Sequence, residues 1–194
     1  MRCVLAVLSF LLLMMAAADA QTTLREDDAA RLARFESSAG YGLLQALAAG
    51  APTDVAALTE ALSGTAQVAL DESLVGEWSC RTMKLGGTAQ LVVYSPFKCL
   101  MTPDDGGFRF EKLTGSQRTK GHIRLIDGRA IYLGVGYVSE AQAPEYDNLP
   151  ADFISNERIQ SDVAIFERVS ATRARLMFPA PAVESDFDIL ELTR

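Results

Sequence analysis

Histidine is all but missing from this chain: His122 is the one imidazole in 194 residues. Zinc centres draw on Cys and His ligands, and hydrolytic triads need an imidazole beside a nucleophile, so both chemistries start short of parts. A triad would have to recruit Ser116, yet on one extended strand that serine lies roughly 20 Å from His122 at about 3.4 Å per residue. Nothing like G-x-S-x-G is present,. Cysteine is scarce too, at three residues, and no C-x-x-C spacing supports a redox pair,. An excess of basic charge is absent: 18 Lys and Arg stand against 25 Asp and Glu, for a net charge of −7. An acidic protein lacks the electrostatic footprint for nucleic acid or for anionic membrane surfaces. No apolar run, the N-terminal one included, is long enough to span a membrane,. Internal repeats, low-complexity tracts and EF-hand spacing are all missing,.

What is present begins with an export signal. Residues 1–20 combine Arg2, an apolar stretch over 4–15 and an A-x-A-like cleavage site at Ala18-Asp19-Ala20,. Cys3 precedes the apolar stretch, out of place for a lipoprotein cysteine. The mature protein is expected to start near Gln21, to have no membrane span after cleavage, and to be periplasmic or secreted. It divides into a helical segment over 21–70 and a β domain over 71–194. In an oxidising compartment the two remaining cysteines, Cys80 and Cys99, are expected to pair,. Their mirror point falls near Ala89-Gln90, just past the Gly86-Gly87 turn, so within the error of a bulge they face each other across antiparallel strands. Closing a loop of about 20 residues stabilises by roughly 3 kcal/mol in the chain-entropy picture.

Residues 23–49 read as helix, with a Thr23/Glu26 capping box and a stripe of Leu32, Phe35, Ala39, Leu43 and Leu47,. Gly40-Tyr41-Gly42 is where that helix is expected to break. Pro52 opens another helix with Val55, Leu58 and Leu62 on one face, ended by Gly64,. From Leu74 the period changes to two. Leu74, Gly76, Trp78 and Cys80 share one parity, and Leu91, Val93, Phe97 and Cys99 another, with Pro96 marking a bulge or edge,. Further strands are expected at Phe108–Phe110, 117–126, 131–137, 163–169, 173–178 and 187–192, the Asp127-Gly128 pair being a hairpin signal,. Eight short strands joined mostly by turns suit a mainly β, antiparallel up-and-down barrel, with a sandwich as the alternative. The stretch 139–161 is a long acidic loop, a candidate lid,.

Gly76-Glu77-Trp78 on the first strand resembles the G-x-W opening of the calycins, the group that holds the lipocalins, avidins and small bacterial metalloprotease inhibitors. That resemblance implies a calycin-like (lipocalin-like) barrel, with Trp78 closing one end beneath a basic side chain from a late strand. Arg173 and Arg175 are the available residues, and Arg175 is the expected partner. The segments WSCRTMKLGG, VVYSPFKC, FEKLTGSQRTKGHI, IYLG, FERV and RLMFPAPAVESDFDILEL resemble a domain-of-unknown-function family of secreted bacterial proteins, the one numbered 4893. The match implies domain identity and export and carries no activity.

Two charge patterns remain. Arg118, Lys120, His122 and Arg124 share one parity of a strand and form a cationic stripe on an acidic protein. The stripe is either a site for an anion or acidic partner, or is neutralised by acids of the long loop, Glu140, Glu145, Asp147, Asp152, Glu157 and Asp162; self-pairing is the favoured reading. Glu184, Asp186 and Asp188 alternate along an expected strand edge, where a solvated face is favoured over a calcium site,. No constellation calls for a cofactor or metal. The expectation is a non-enzymatic extracytoplasmic barrel that binds a small apolar or amphipathic ligand in its interior or mouth. The alternative is a protein-interaction module, such as a protease inhibitor or envelope assembly factor with an envelope protein as partner.

Overall fold

The computed structural model describes residues 24–67 and 70–194; the export signal at 1–20 and the Thr23 cap lie outside the described residues. Helices come first: α1 (Glu26–Ala33), α2 (Phe35–Ala49) and α3 (Pro52–Leu62). Glu26, Asp27 and Asp28 fill the first turn of α1, where negative charge suits the helix dipole,. The break between α1 and α2 is at Arg34 (φ −93°, ψ 10°), and the expected break at Gly40-Tyr41-Gly42 lies inside continuous helix. Gly42 serves close approach instead: a Cβ there would stand 3.0 Å from Phe187 Cβ and 3.1 Å from Leu85 Cβ. The expected apolar stripe also drifts. Each four-residue step overshoots a helical turn by about 40°, so Leu47 ends 56% exposed while Ala46 takes the buried position.

The strands are β1 (Gly76–Leu85), β2 (Leu91–Val93), β3 (Phe97–Asp104), β4 (Gly107–Lys112), β5 (Gln117–Ile126), β6 (Arg129–Val138), β7 (Ile159–Ser170), β8 (Arg173–Pro179) and β9 (Phe187–Thr193). Both β2 and β3 pair with β1 and lie end to end along it, parted at Tyr94, Ser95 and Pro96. Proline has no N–H to give the ladder, which explains the gap. Counted together they hold one of eight positions, every neighbour is antiparallel, and β1 closes on β9 from Ser79↔Thr193 to Leu85↔Phe187. The molecule is therefore mainly β, a closed eight-stranded antiparallel barrel with an N-terminal helical extension, as the strand count implied. At the β5–β6 hairpin Asp127 and Gly128 both take positive φ (50° and 75°), the geometry their Asp-Gly pair favours,.

Cys80 and Cys99 are disulfide-bonded, with Cα atoms 5.9 Å apart. In the β1–β3 register Cys80 faces Phe97 and Cys99 faces Trp78, so the bridge runs diagonally between inward-facing positions.

The wall separates two cores. Inside lie Trp78, Met101, Phe110, Ile123, Tyr132, Leu176 and Leu192. Outside, Met83, Leu85, Leu133, Val163, Ile165 and Ile189 form a second core with Ala46, Leu58 and Ala61 of the helices. Helix α1 packs on β7, α2 on β1, β8 and β9, and α3 on β2. Both faces of β6 are consequently buried: Ile131, Leu133 and Val135 point outward, and Tyr132 points into the barrel beside Gly134 and Gly136.

Candidate functional site

The two ends of the barrel differ in chemistry. One is closed by the 3₁₀ turn Glu72–Leu74 and by Trp78, whose indole N–H donates to the Leu74 carbonyl at 2.9 Å. Arg194 covers the indole, its guanidinium carbon 4.0 Å from the ring centroid, and donates to the Val75 carbonyl at 3.0 Å. The expected partner was Arg175, and parity rules it out. Ala174, Leu176 and Phe178 are the inward residues of β8, so Arg175 points outward; there it pairs with Glu167 and donates to the carbonyls of Ala61 and Ser63 at the end of α3. Arg194 continues the inward parity of Leu190 and Leu192.

The other end is an open mouth with a cavity of about 90 Å³. Strand alternation carries charged residues into it at positions that are apolar nearer the closed end. Lys84 follows Trp78 and Cys80 on β1, Lys112 follows Phe108 and Phe110 on β4, Asp162 precedes Ala164 on β7, and Asp188 precedes Leu190 on β9. Phe178, Val183 and Leu190 supply apolar lining. The glycine at 136 makes room, since a Cβ there would meet the Asp162 carboxylate at 2.7–3.1 Å.

These groups are unevenly satisfied. The Lys84 ammonium donates to Gln117 Oε1 at 3.0 Å and pairs with Glu184. Burial works against its charge, but the Glu184 and Asp188 carboxylates outweigh that and raise its pKa. Lys112 donates to the Gln117 carbonyl at 2.7 Å and lies 3.9 Å over the Phe97 ring. Burial, followed by the like charges of Lys84 and Arg118, lowers its pKa to about 8. Arg118 also lines the mouth and donates to the Gly115 carbonyl. Among the described residues no carboxylate stands within ion-pair distance of Lys112 or Arg118.

On the acidic side, burial pushes Asp188 up to about 7, helped by Asp162 and Glu184 and opposed by Ser185 and Lys84. Burial likewise raises Asp162. Asp162 accepts the Thr119 hydroxyl at 2.7 Å, and that hydroxyl lies 2.7 Å from the Tyr132 hydroxyl. Because threonine has a single proton to give, Tyr132 is the donor in that second contact.

The cationic stripe of β5 is largely neutralised. Lys120 donates to Glu145 at 2.9 Å, and Arg109 of β4 makes a two-pronged contact with the same carboxylate at 3.0 and 3.2 Å. His122 and Arg124 meet Asp104 at 2.6 and 3.1 Å. Arg118 is the stripe member that turns to the mouth. Long-loop residue Glu145 is thus one neutralising acid, and Asp104 of β3 is the other. The loop is pinned to the outer wall rather than laid across the mouth: Tyr146 and Leu149 join the outer core, and Arg25 donates to the carbonyls of Pro150, Ala151 and Phe153. Glu157 and Gln160, near its end, reach the rim.

Glu184, Asp186 and Asp188 do not share a strand edge. The first two sit in the β8–β9 loop, and they engage Lys84, Gln45 and Ser185 respectively. Sequence reasoning did not place Lys84, Lys112 or Asp188 inside the barrel, although each is a charged residue on a strand parity that also carries large apolar side chains. That break in the pattern was a readable signal.

A family model, that of the domain of unknown function DUF4893, matches residues 20–192. The chain belongs to the DUF4893 family. The match takes in both the helical extension and the barrel of this DUF4893 protein. No curated protein matches the chain. No helix among its described residues is long and apolar enough to cross a membrane.

Proposed function

We propose that this DUF4893 protein is an exported, non-enzymatic barrel that binds a small amphipathic molecule in its mouth. The observation that carries the reading is the cavity of about 90 Å³, where Lys112 and Asp188 face the same space as Phe178 and Leu190. Sites for drug-sized molecules run to roughly 300 Å³ and above, so the bound part is small. The reading of export is supported by the Cys80–Cys99 bridge, since disulfides persist in oxidising compartments,. The test is native mass spectrometry of the protein isolated from its own periplasm. A reproducible small adduct, lost on mutation of mouth residues, is the expected result; a ligand-free mass in every preparation overturns the proposal.

A second reading, proton-transfer catalysis, is favoured by one observation. An acid raised to about 7 and an amine lowered to about 8 line the same cavity, and paired shifts of this kind cluster at active sites. Turnover of a substrate panel that is abolished by Asp188→Asn, with the fold intact, would support it. No turnover by the native protein counts against it.

A further inference from the structure

We infer that the mouth seats the carboxylate of a short apolar acid between Lys112 and Arg118, with the acid's tail against Phe178, Val183 and Leu190. The inference rests on the mouth being a binding site and names the class of ligand it takes. Lys112 and Arg118 line the mouth with no carboxylate in ion-pair contact among the described residues, the exposed Glu140 reaching Arg118 only through its longer-range charge; Lys84 beside them is matched by Glu184. Lys112 is 7% exposed. An ammonium has three N–H donors; the Gln117 carbonyl takes one and the Phe97 ring covers another side, so the seat is short of an acceptor. A buried cation without a counter-ion is costly, and an incoming anion relieves that cost.

The stripe on the outer wall narrows the choice further. Glu145 and Asp104 occupy Lys120, His122 and Arg124, whereas Arg118 has only the longer-range charge of Glu140 and keeps room for an external anion. The far side of the mouth carries Asp162, Asp188 and Glu157, which repel a dianion such as phosphate more than a singly charged carboxylate,. A cavity of about 90 Å³ holds on the order of half a dozen water-sized groups, the size of a four- to six-carbon acid.

Linkage supplies a second handle. Burial and then the charges of Lys84 and Arg118 hold the Lys112 pKa at about 8. A carboxylate bound beside it favours the ammonium form, so occupancy raises that pKa and affinity falls as pH climbs above it.

The experiment titrates hexanoate, hexanamide and inorganic phosphate into the full mature chain by calorimetry at pH 7. Hexanoate is expected to bind at least tenfold more tightly than either of the others, and Lys112→Met to remove that advantage. Equal binding of hexanamide or phosphate, or undiminished hexanoate binding by Lys112→Met, overturns the carboxylate seat. Hexanamide binding alone would leave the broader reading of an amphipathic ligand standing. Should none of the three bind, the seat is overturned, and native mass spectrometry separately decides the broader reading. Lys112 can also be followed in the unmutated protein by the NMR shift of its side chain. Saturating hexanoate should raise its titration midpoint by at least one pH unit, and an unmoved midpoint overturns the inference without any variant.

Discussion

Asp188 faces Lys84 directly across the β1–β9 ladder, at the inward position where the apolar lining gives way to the polar mouth. Its carboxyl, pushed up to about 7 chiefly by burial, titrates near 3.9 in an unfolded chain. Between those two values the folded protein keeps a proton the unfolded chain has lost. The stability it contributes is therefore lost as pH rises through that window and levels off above 7,. Asp188→Asn imitates the protonated acid. The variant should match the native protein near pH 4 and exceed it by on the order of 2 kcal/mol at pH 8, a figure discounted because the mouth admits water. Urea unfolding at the two pH values checks this, and an advantage that does not grow with pH would show that Asp188 keeps an ordinary pKa. The odd residues at this scale were visible in the sequence. Lys84, Lys112 and Asp188 break an inward parity that Trp78, Phe110 and Leu190 establish.

Helix α2 shows how an element answers to the surface under it. Gly40 and Gly42 are two residues apart in the same helix, yet a Cβ on Gly40 meets nothing within 4 Å while one on Gly42 presses on Phe187 and Leu85 of the barrel. Gly40→Ala should gain about 0.5–1 kcal/mol from helix propensity. Gly42→Ala should lose about 1–2 kcal/mol despite the same propensity gain, because strand atoms cannot retreat. Thermal melts of the two variants, shifted in opposite directions, are the expected result. In the long loop after β6 a single acid, Glu145, carries the ion pairs to β4 and β5. Arg109 first, then Lys120, hold the Glu145 carboxyl down at about 2, burial notwithstanding. A depressed acid contributes stability above its unfolded value near 4.3 and loses it as pH falls toward 2,. Glu145→Gln should cost about 1 kcal/mol at pH 7, a value reduced for the part exposure of the pair, and almost nothing at pH 2. Amide exchange of residues 140–150 should quicken in the variant at neutral pH; unchanged protection there would mean Tyr146 and Leu149 hold the loop unaided.

At the scale of the whole molecule, one closed sheet serves two cores. Its lumen is filled near Trp78, and over part of its circumference the outer face is covered by helices and by the long loop. Closure removes the sheet edges, with β1 holding β2 and β3 on one side and β9 on the other,. The diagonal Cys80–Cys99 bridge ties two neighbouring wall strands, 19 residues apart in sequence. Replacing both cysteines by alanine should cost roughly 3 kcal/mol on the loop-entropy account. It should lower the melting temperature by several degrees without changing the far-ultraviolet spectrum; a changed spectrum would mean that the bridge defines the barrel.

Local physics made the β elements and the bridge legible from residues alone. Alternation with period two marks a wall with faces, Asp127-Gly128 sets a hairpin, Pro96 interrupts a ladder, and two cysteines near one mirror point fall on adjacent strands. The helix break at Arg34, the burial of Ala46 in place of Leu47, and Arg194 rather than Arg175 over the indole were settled by what each side chain meets across the fold. The mouth belongs to the same class. Lys112, Asp162 and Asp188 come from β4, β7 and β9, and charges that distant in sequence share a cavity only because barrel closure brings inward positions of separate strands around one axis.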